Sequence, residues 1–137
     1  MRALLLIAAL GGCWGDGSTT PVSPPAKSLQ INEPGKAVDI LASLPDGYVV
    51  VVDFWGEHCG ACHVVGGMRA VQLAHSPKVL IRKIDVGDGF SPVAEQYDIS
   101  SLPHYKVYDK HKRMRANLIG NDCLKAPEIA DALALED

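Results

Sequence analysis

Tyr48-Val49-Val50-Val51-Val52-Asp53-Phe54-Trp55-Gly56-Glu57-His58-Cys59-Gly60-Ala61-Cys62 is the stretch on which the fold turns. Its first eight residues are β-branched and aromatic without polar alternation, the pattern of a central strand covered on both faces. Asp53 alone breaks the run. Gly60 to about His75 then reads as a helix, which places Cys59 at its N-cap. Unpaired backbone N–H groups and the helix dipole favour a thiolate there. Two cysteines at this spacing can bind metal, attach haem or cycle as a disulfide, and their position between a buried strand and a helix start favours redox use.

Working outward, Leu29 to Ile31 reads as a weak first strand. Pro34 to Leu44 carries apolar residues at helical spacing (Ala37, Ile40, Leu41, Leu44) before the turn Pro45-Asp46-Gly47. Val79 to Val86 is a second buried strand, and Ser91-Pro92 opens a short helix to Tyr97. His104 to Tyr108 and Met114 to Ile119 form a hairpin across the turn 109–112. Ala126 to Leu135 closes as an amphipathic helix with Pro127 at its start. The order βαβαβαββα predicts an α/β domain over 28–137, a central mixed sheet flanked by helices.

The chain has 137 residues, 13 Lys+Arg against 16 Asp+Glu, and a net charge of −3, the balance of one ordinary domain. No basic footprint for nucleic acid is present, the run from Lys110 to Arg115 being short. Four cysteines are too few for a disulfide-built scaffold. Met1-Arg2, the apolar run Ala3 to Leu10 and Gly11-Gly12-Cys13 follow the order of a secretory signal over 1–12, too short to span a bilayer. Leu10-Gly11-Gly12-Cys13 resembles the bacterial lipobox, which implies cleavage before Cys13 and its lipidation. Residues 13–27, rich in Pro, Ser and Gly, read as a flexible tether. The expectation is a lipid-anchored protein of the bacterial cell envelope facing the periplasm, at the inner or the outer membrane.

Asp-Phe-Trp at 53–55, Cys-Gly-Ala-Cys at 59–62, Lys-Ile-Asp-Val at 83–86 and Ser-Leu-Pro at 101–103 together resemble the thioredoxin family across 28–137. The resemblance implies a thioredoxin fold and a protein-disulfide oxidoreductase that needs no cofactor beyond a Cys59–Cys62 disulfide. It makes Cys59 the attacking thiolate, Cys62 the buried resolving thiol and Pro103 a cis-proline that shapes the substrate groove. Asp53 handles the resolving thiol's proton, with Lys83 near it. Trp55, His58, Gly60, Ala61, Leu102, Pro103 and His104 then line the substrate site. A carboxylate in an apolar strand is costly to ionise, so the pKa of Asp53 is expected to rise, and removal of a buried unpaired carboxylate could stabilise the domain. The implied partners are exported protein thiols and disulfides and an upstream redox protein, acting on a monomer.

The sequence departs from the family pattern at His58, Ala61 and His104, and Gly66-Gly67 stands where a kinking proline is usual. With Cys59 as N-cap, Ala61 supplies a backbone donor to the Cys59 sulfur that proline would lack, and protonated His58 adds positive charge. Both favour the thiolate and a pair roughly tens of millivolts more oxidising than thioredoxin. Two other readings use the same segment: Cys59-Gly60-Ala61-Cys62-His63 fits the c-type haem attachment pattern, and His58, Cys59, Cys62 and His63 could act as a zinc or copper carrier. Four-way convergence of adjacent side chains at a helix start opposes the metal reading. Cys123 reads as a partly buried structural thiol.

Overall fold

The computed structural model describes residues 21–137. The expected signal and the lipobox cysteine, Cys13, lie outside the described residues. Five strands, β1 (Ser28–Gln30), β2 (Val49–Trp55), β3 (Val79–Asp85), β4 (His104–Tyr108) and β5 (Met114–Ile119), form one sheet in the order β1-β3-β2-β4-β5. β1, β3 and β2 run parallel, whereas β4 pairs antiparallel with β2 and β5 antiparallel with β4. Three α-helices, α1 (Gly60–Leu73), α2 (Pro92–Gln96) and α3 (Ala126–Leu135), cover the two faces.

β2 is central because all its residues up to Phe54 are buried. Alternation sends Val50, Val52 and Phe54 to a core with Ile84, Val93 and Ile99 under α2. Val49 and Val51 go to the opposite core, with Val65 and Leu73 of α1 and Ala130 and Leu133 of α3. Asp53 continues this second series, so the one charged residue of the strand faces α1. The register sets Asp53 opposite Lys83 on β3 and Tyr105 on β4.

The expected first helix is corrected. Over 34–44 only a single 3-10 turn forms, Leu41–Ser43. Gly35 takes a left-handed φ of +74°, and its N–H donates to the Asp85 carbonyl at 2.9 Å. The Tyr97 hydroxyl donates to the Val38 carbonyl at 2.6 Å and accepts from the Ile40 N–H at 3.0 Å. Backbone groups that a helix would pair internally are thus satisfied by side chains and a neighbouring strand. The apolar spacing was real, since Ile40 and Leu44 are buried, but they enter the core from an irregular segment. A second 3-10 turn, Gly120–Lys125, leads straight into α3 and was not expected.

Attachment to the domain begins just before residue 28. The Lys27 carbonyl accepts from the Ile81 N–H at 2.8 Å, and the Lys27 ammonium donates to the carbonyls of Ser76 and Val79. Buried Arg82 donates to the Ala26 carbonyl at 3.1 Å.

Candidate active site

Strand β2 ends at Trp55 and the chain turns through Gly56–His58 to start α1. A Cβ on Gly56 would stand 3.6 Å from the Gly87 carbonyl and from Leu102, so the loop approaches both closely. Cys59 is the N-cap, half-buried, and Cys62 lies one turn in, 4% exposed. The two are joined as a disulfide with a Cα–Cα distance of 5.2 Å. The Cys59 Sγ accepts a hydrogen bond from the Cys62 N–H at 3.1 Å. The expected donor, Ala61, is therefore corrected: the third helical N–H, not the second, caps through sulfur, and a proline at 61 would leave it in place.

The Leu102–Pro103 peptide is cis, as expected, with Pro103 buried and its carbonyl accepting from the Gly120 N–H at 2.8 Å. Leu102 is half-buried, and His58, Gly60 and Ala61 are exposed around the disulfide. Trp55 is half-buried: its indole N–H donates to Gln30 at 3.0 Å, the Lys83 ammonium stands 4.2 Å over its ring, and His63 meets it edge-on at 5.8 Å. His63 also donates through Nε2 to the Glu57 carbonyl at 3.1 Å, bracing the loop before Cys59. His104 is only 3% exposed, packed on Phe54 at 5.9 Å and hydrogen-bonded through Nε2 to Asn117 at 2.6 Å. Burial pushes its pKa below the usual histidine value. Its side chain is turned inward, so only its backbone is available to a partner in the groove.

Behind the disulfide, Asp53 and Arg69 form an ion pair at 3.1 Å, each side chain 3% exposed. The expectation of an unpaired carboxylate is corrected. The Arg69 guanidinium also lies 4.6 Å over the Tyr105 ring. Burial raises the pKa of Asp53 above the usual carboxylate range, as expected, and Arg69 is the largest opposing influence, with Lys83 and His63 adding smaller ones. A cavity of about 260 Å³ is lined by Asp53, Cys62, His63, Arg69 and Lys83 together with Trp55. Lys83 thus reaches the same cleft as Asp53 while its ammonium rests on Trp55.

Arg69 is the residue that sequence reasoning missed. A signal was present: the inward positions of α1 are Cys62, Val65, Arg69 and Leu73, so the helical spacing puts an arginine in an otherwise apolar stripe. Cys123 is fully buried, its thiol donating to the Leu118 carbonyl at 3.4 Å. Among the described residues no group of three or more His, Cys, Asp or Glu side chains is placed to hold a metal ion.

A Cys-x-x-Cys pair of this kind takes up two electrons when its S–S bond is reduced to two thiols and gives them up when the bond re-forms, and fold and site together define a thiol–disulfide oxidoreductase. The family model for thioredoxin matches residues 40–133. The Chlamydia trachomatis thioredoxin is 31% identical over 70 residues, covering 51% of this chain and 68% of the relative. The Mycoplasma pneumoniae thioredoxin is 34% identical over 61 residues, 44% of this chain and 59% of the relative. Among solved structures, the reduced Schistosoma mansoni thioredoxin pre-protein superposes with a TM-score of 0.61 at 21% identity, over 79% of this chain and 99% of that one, a likeness of fold. The chain belongs to the thioredoxin family.

Proposed function

We propose that this protein is a membrane-tethered thiol–disulfide oxidoreductase acting on exported protein disulfides, reset by an upstream redox partner and working as a monomer. The observation that carries the reading is the Cys59–Cys62 disulfide at the start of α1, in the same chain as a Leu10–Cys13 lipobox-like segment. Starting from the dithiol, the Cys59 thiolate attacks one sulfur of a substrate disulfide. A Cys59–substrate S–S bond forms, the substrate bond breaks, and the departing thiolate takes a proton from water. The Cys62 thiol then gives its proton to Asp53, and its thiolate attacks the Cys59 sulfur. The Cys59–Cys62 bond forms and the second substrate thiolate leaves, taking a proton from water as Asp53 returns its own proton to solvent. The substrate gains two electrons and two protons, and the same steps reversed oxidise a dithiol. The exposed rim of His58, Gly60 and Ala61 and the backbone around Pro103 offer the docking surface, with Trp55 and Leu102 at its edges.

The tether is tested by expression in a bacterium followed by membrane fractionation. The wild type is expected in the membrane fraction, with Cys13→Ser released or retaining its leader. A wild type that stays soluble and still carries Met1 contradicts the anchoring. Titration against glutathione buffers then places the pair as net reductant or net oxidant in its compartment.

A further inference from the structure

The Asp53–Arg69 pair sits inside the domain directly behind the resolving cysteine, yet nothing in the apolar packing of α1 requires a cation at position 69. An arginine taken from water into a core is costly unless its partner compensates, and replacement of such a pair by apolar residues is often neutral or better. Its place between the sheet and α1, on the cavity that Cys62 also lines, points to the chemistry it faces.

We infer that Arg69 is a positioning residue for proton transfer at Cys62, holding Asp53 by one oxygen and keeping it in its charged, proton-accepting form at the cavity they share. The inference rests on the oxidoreductase reading above. Asp53 commits Oδ2 to Arg69 Nη2, while Oδ1 makes no hydrogen bond to any described protein group. One oxygen is therefore fixed and the other is free to take a proton. The guanidinium is itself held over the Tyr105 ring, so its charge is fixed in place. The cavity of about 260 Å³ lined by Asp53, Arg69 and Cys62 is polar and roomy enough to hold water that would relay a proton.

The groups facing Asp53 come from every packed element. Arg69 and His63 lie on α1, Lys83 on β3, Tyr105 on β4, and Cys123 lies in the 3-10 turn before α3. Tyr105 and Cys123 are pushed up by burial and remain neutral at physiological pH, so they do not supply charge. Lys83 is half-buried and His63 exposed, and both exert less influence on Asp53 than Arg69 does. Burial works against the charged carboxylate, and among the neighbouring groups Arg69 opposes that effect most.

The test compares wild type with Arg69→Gln and Arg69→Lys by two readouts. One is the rate of mixed-disulfide resolution relative to attack, followed from pH 5 to 9 with a model protein disulfide. The other is the NMR titration of the Asp53 carboxyl carbon. The wild-type carboxyl is expected to be ionised at pH 7. In Arg69→Gln both the carboxyl titration and the acid limb of resolution move to higher pH together, by about one unit or more, slowing resolution about threefold or more at pH 6 and up to about tenfold per unit further down the limb. Arg69→Lys restores most of both. A folded Arg69→Gln with an unmoved acid limb overturns the inference and leaves the oxidoreductase reading intact. Should Arg69→Gln not fold, the other two proteins decide. An ionised wild-type Asp53 with an Arg69→Lys profile matching wild type supports the role, and a wild-type Asp53 that carries a proton at pH 7 overturns it. A wild type that reduces no disulfide at any pH removes the oxidoreductase reading and this inference with it.

Discussion

The Cys62 N–H donates to the Cys59 sulfur at 3.1 Å, so the resolving residue caps its own helix through the attacking residue. Stabilisation of a Cys59 thiolate therefore depends on a backbone group three residues on, which survives substitution at either position between the cysteines. Ala61→Pro is expected to shift the potential of the pair by less than about 30 mV, the equivalent of about 1.4 kcal/mol for a two-electron couple. Glutathione titration of the two proteins checks this. A larger shift toward a more reducing pair would return the role to the Ala61 N–H.

Asp53→Asn is expected to destabilise the domain by about 3 kcal/mol, because it strands the buried Arg69 charge while keeping the side-chain shape. Asp53→Leu combined with Arg69→Met removes both charges and is expected to recover most of that loss. Urea denaturation of the single and double variants separates the two cases. An Asp53→Asn midpoint equal to or above wild type would show that the pair does not hold Arg69 in place.

Asp109 anchors the turn between β4 and β5. Burial acts to raise its pKa, but the backbone N–H groups of Arg113 and His111 and the guanidinium groups of Arg115 and Arg113 outweigh it and hold the carboxyl down to about 2. The donors stand 2.9 to 3.2 Å from its oxygens. A carboxyl depressed in the folded state contributes stability above its unfolded value near 4, and that stability is lost as pH falls toward 2. Because Arg113 is exposed and Arg115 borderline, the contribution is about 1–2 kcal/mol. Asp109→Asn is expected to unfold at lower urea than wild type at pH 6 and to converge with it near pH 2. A gap of the same size at both pH values would contradict this.

Cys123 is expected to stay silent toward thiol reagents. Burial pushes its thiol up to about 11, and the side chain is 0% exposed. After mild reduction, iodoacetamide followed by peptide mass spectrometry should find Cys59 modified and Cys123 unmodified until denaturant is added. Native alkylation of Cys123 at a rate comparable to Cys59 would refute its burial.

The central strand and the cysteine pair were legible because burial on both faces leaves an uninterrupted apolar run and because a helix start fixes where the first thiol stands. The hairpin of β4 and β5 and the closing helix were read to the residue, their limits being marked by the 109–112 turn and by Pro127. The segment 34–44 was misread because its buried apolar positions fall at helical intervals, whereas its conformation is decided by Gly35 and by the distant Tyr97 hydroxyl. No local pattern encodes such a contact. The site was legible on its sulfur side, and on its charge side Asp53 and Lys83 were legible while Arg69 was not. The stripe Cys62, Val65, Arg69, Leu73 shows that position 69 points inward, but only the sheet register reveals Asp53 on the far side of it. His104 was read by its place after the cis-proline, where alternation along β4 in fact turns its ring toward Phe54.

The division of labour between Cys59 and Cys62 is tested most directly by trapping. Reduced Cys62→Ser and Cys59→Ser proteins are each mixed with a protein disulfide and resolved without reductant. A covalent adduct through Cys59 is expected in the Cys62→Ser protein, dispersed by dithiothreitol, and none in the Cys59→Ser protein. An adduct confined to Cys59→Ser, or none in either protein, would contradict that division.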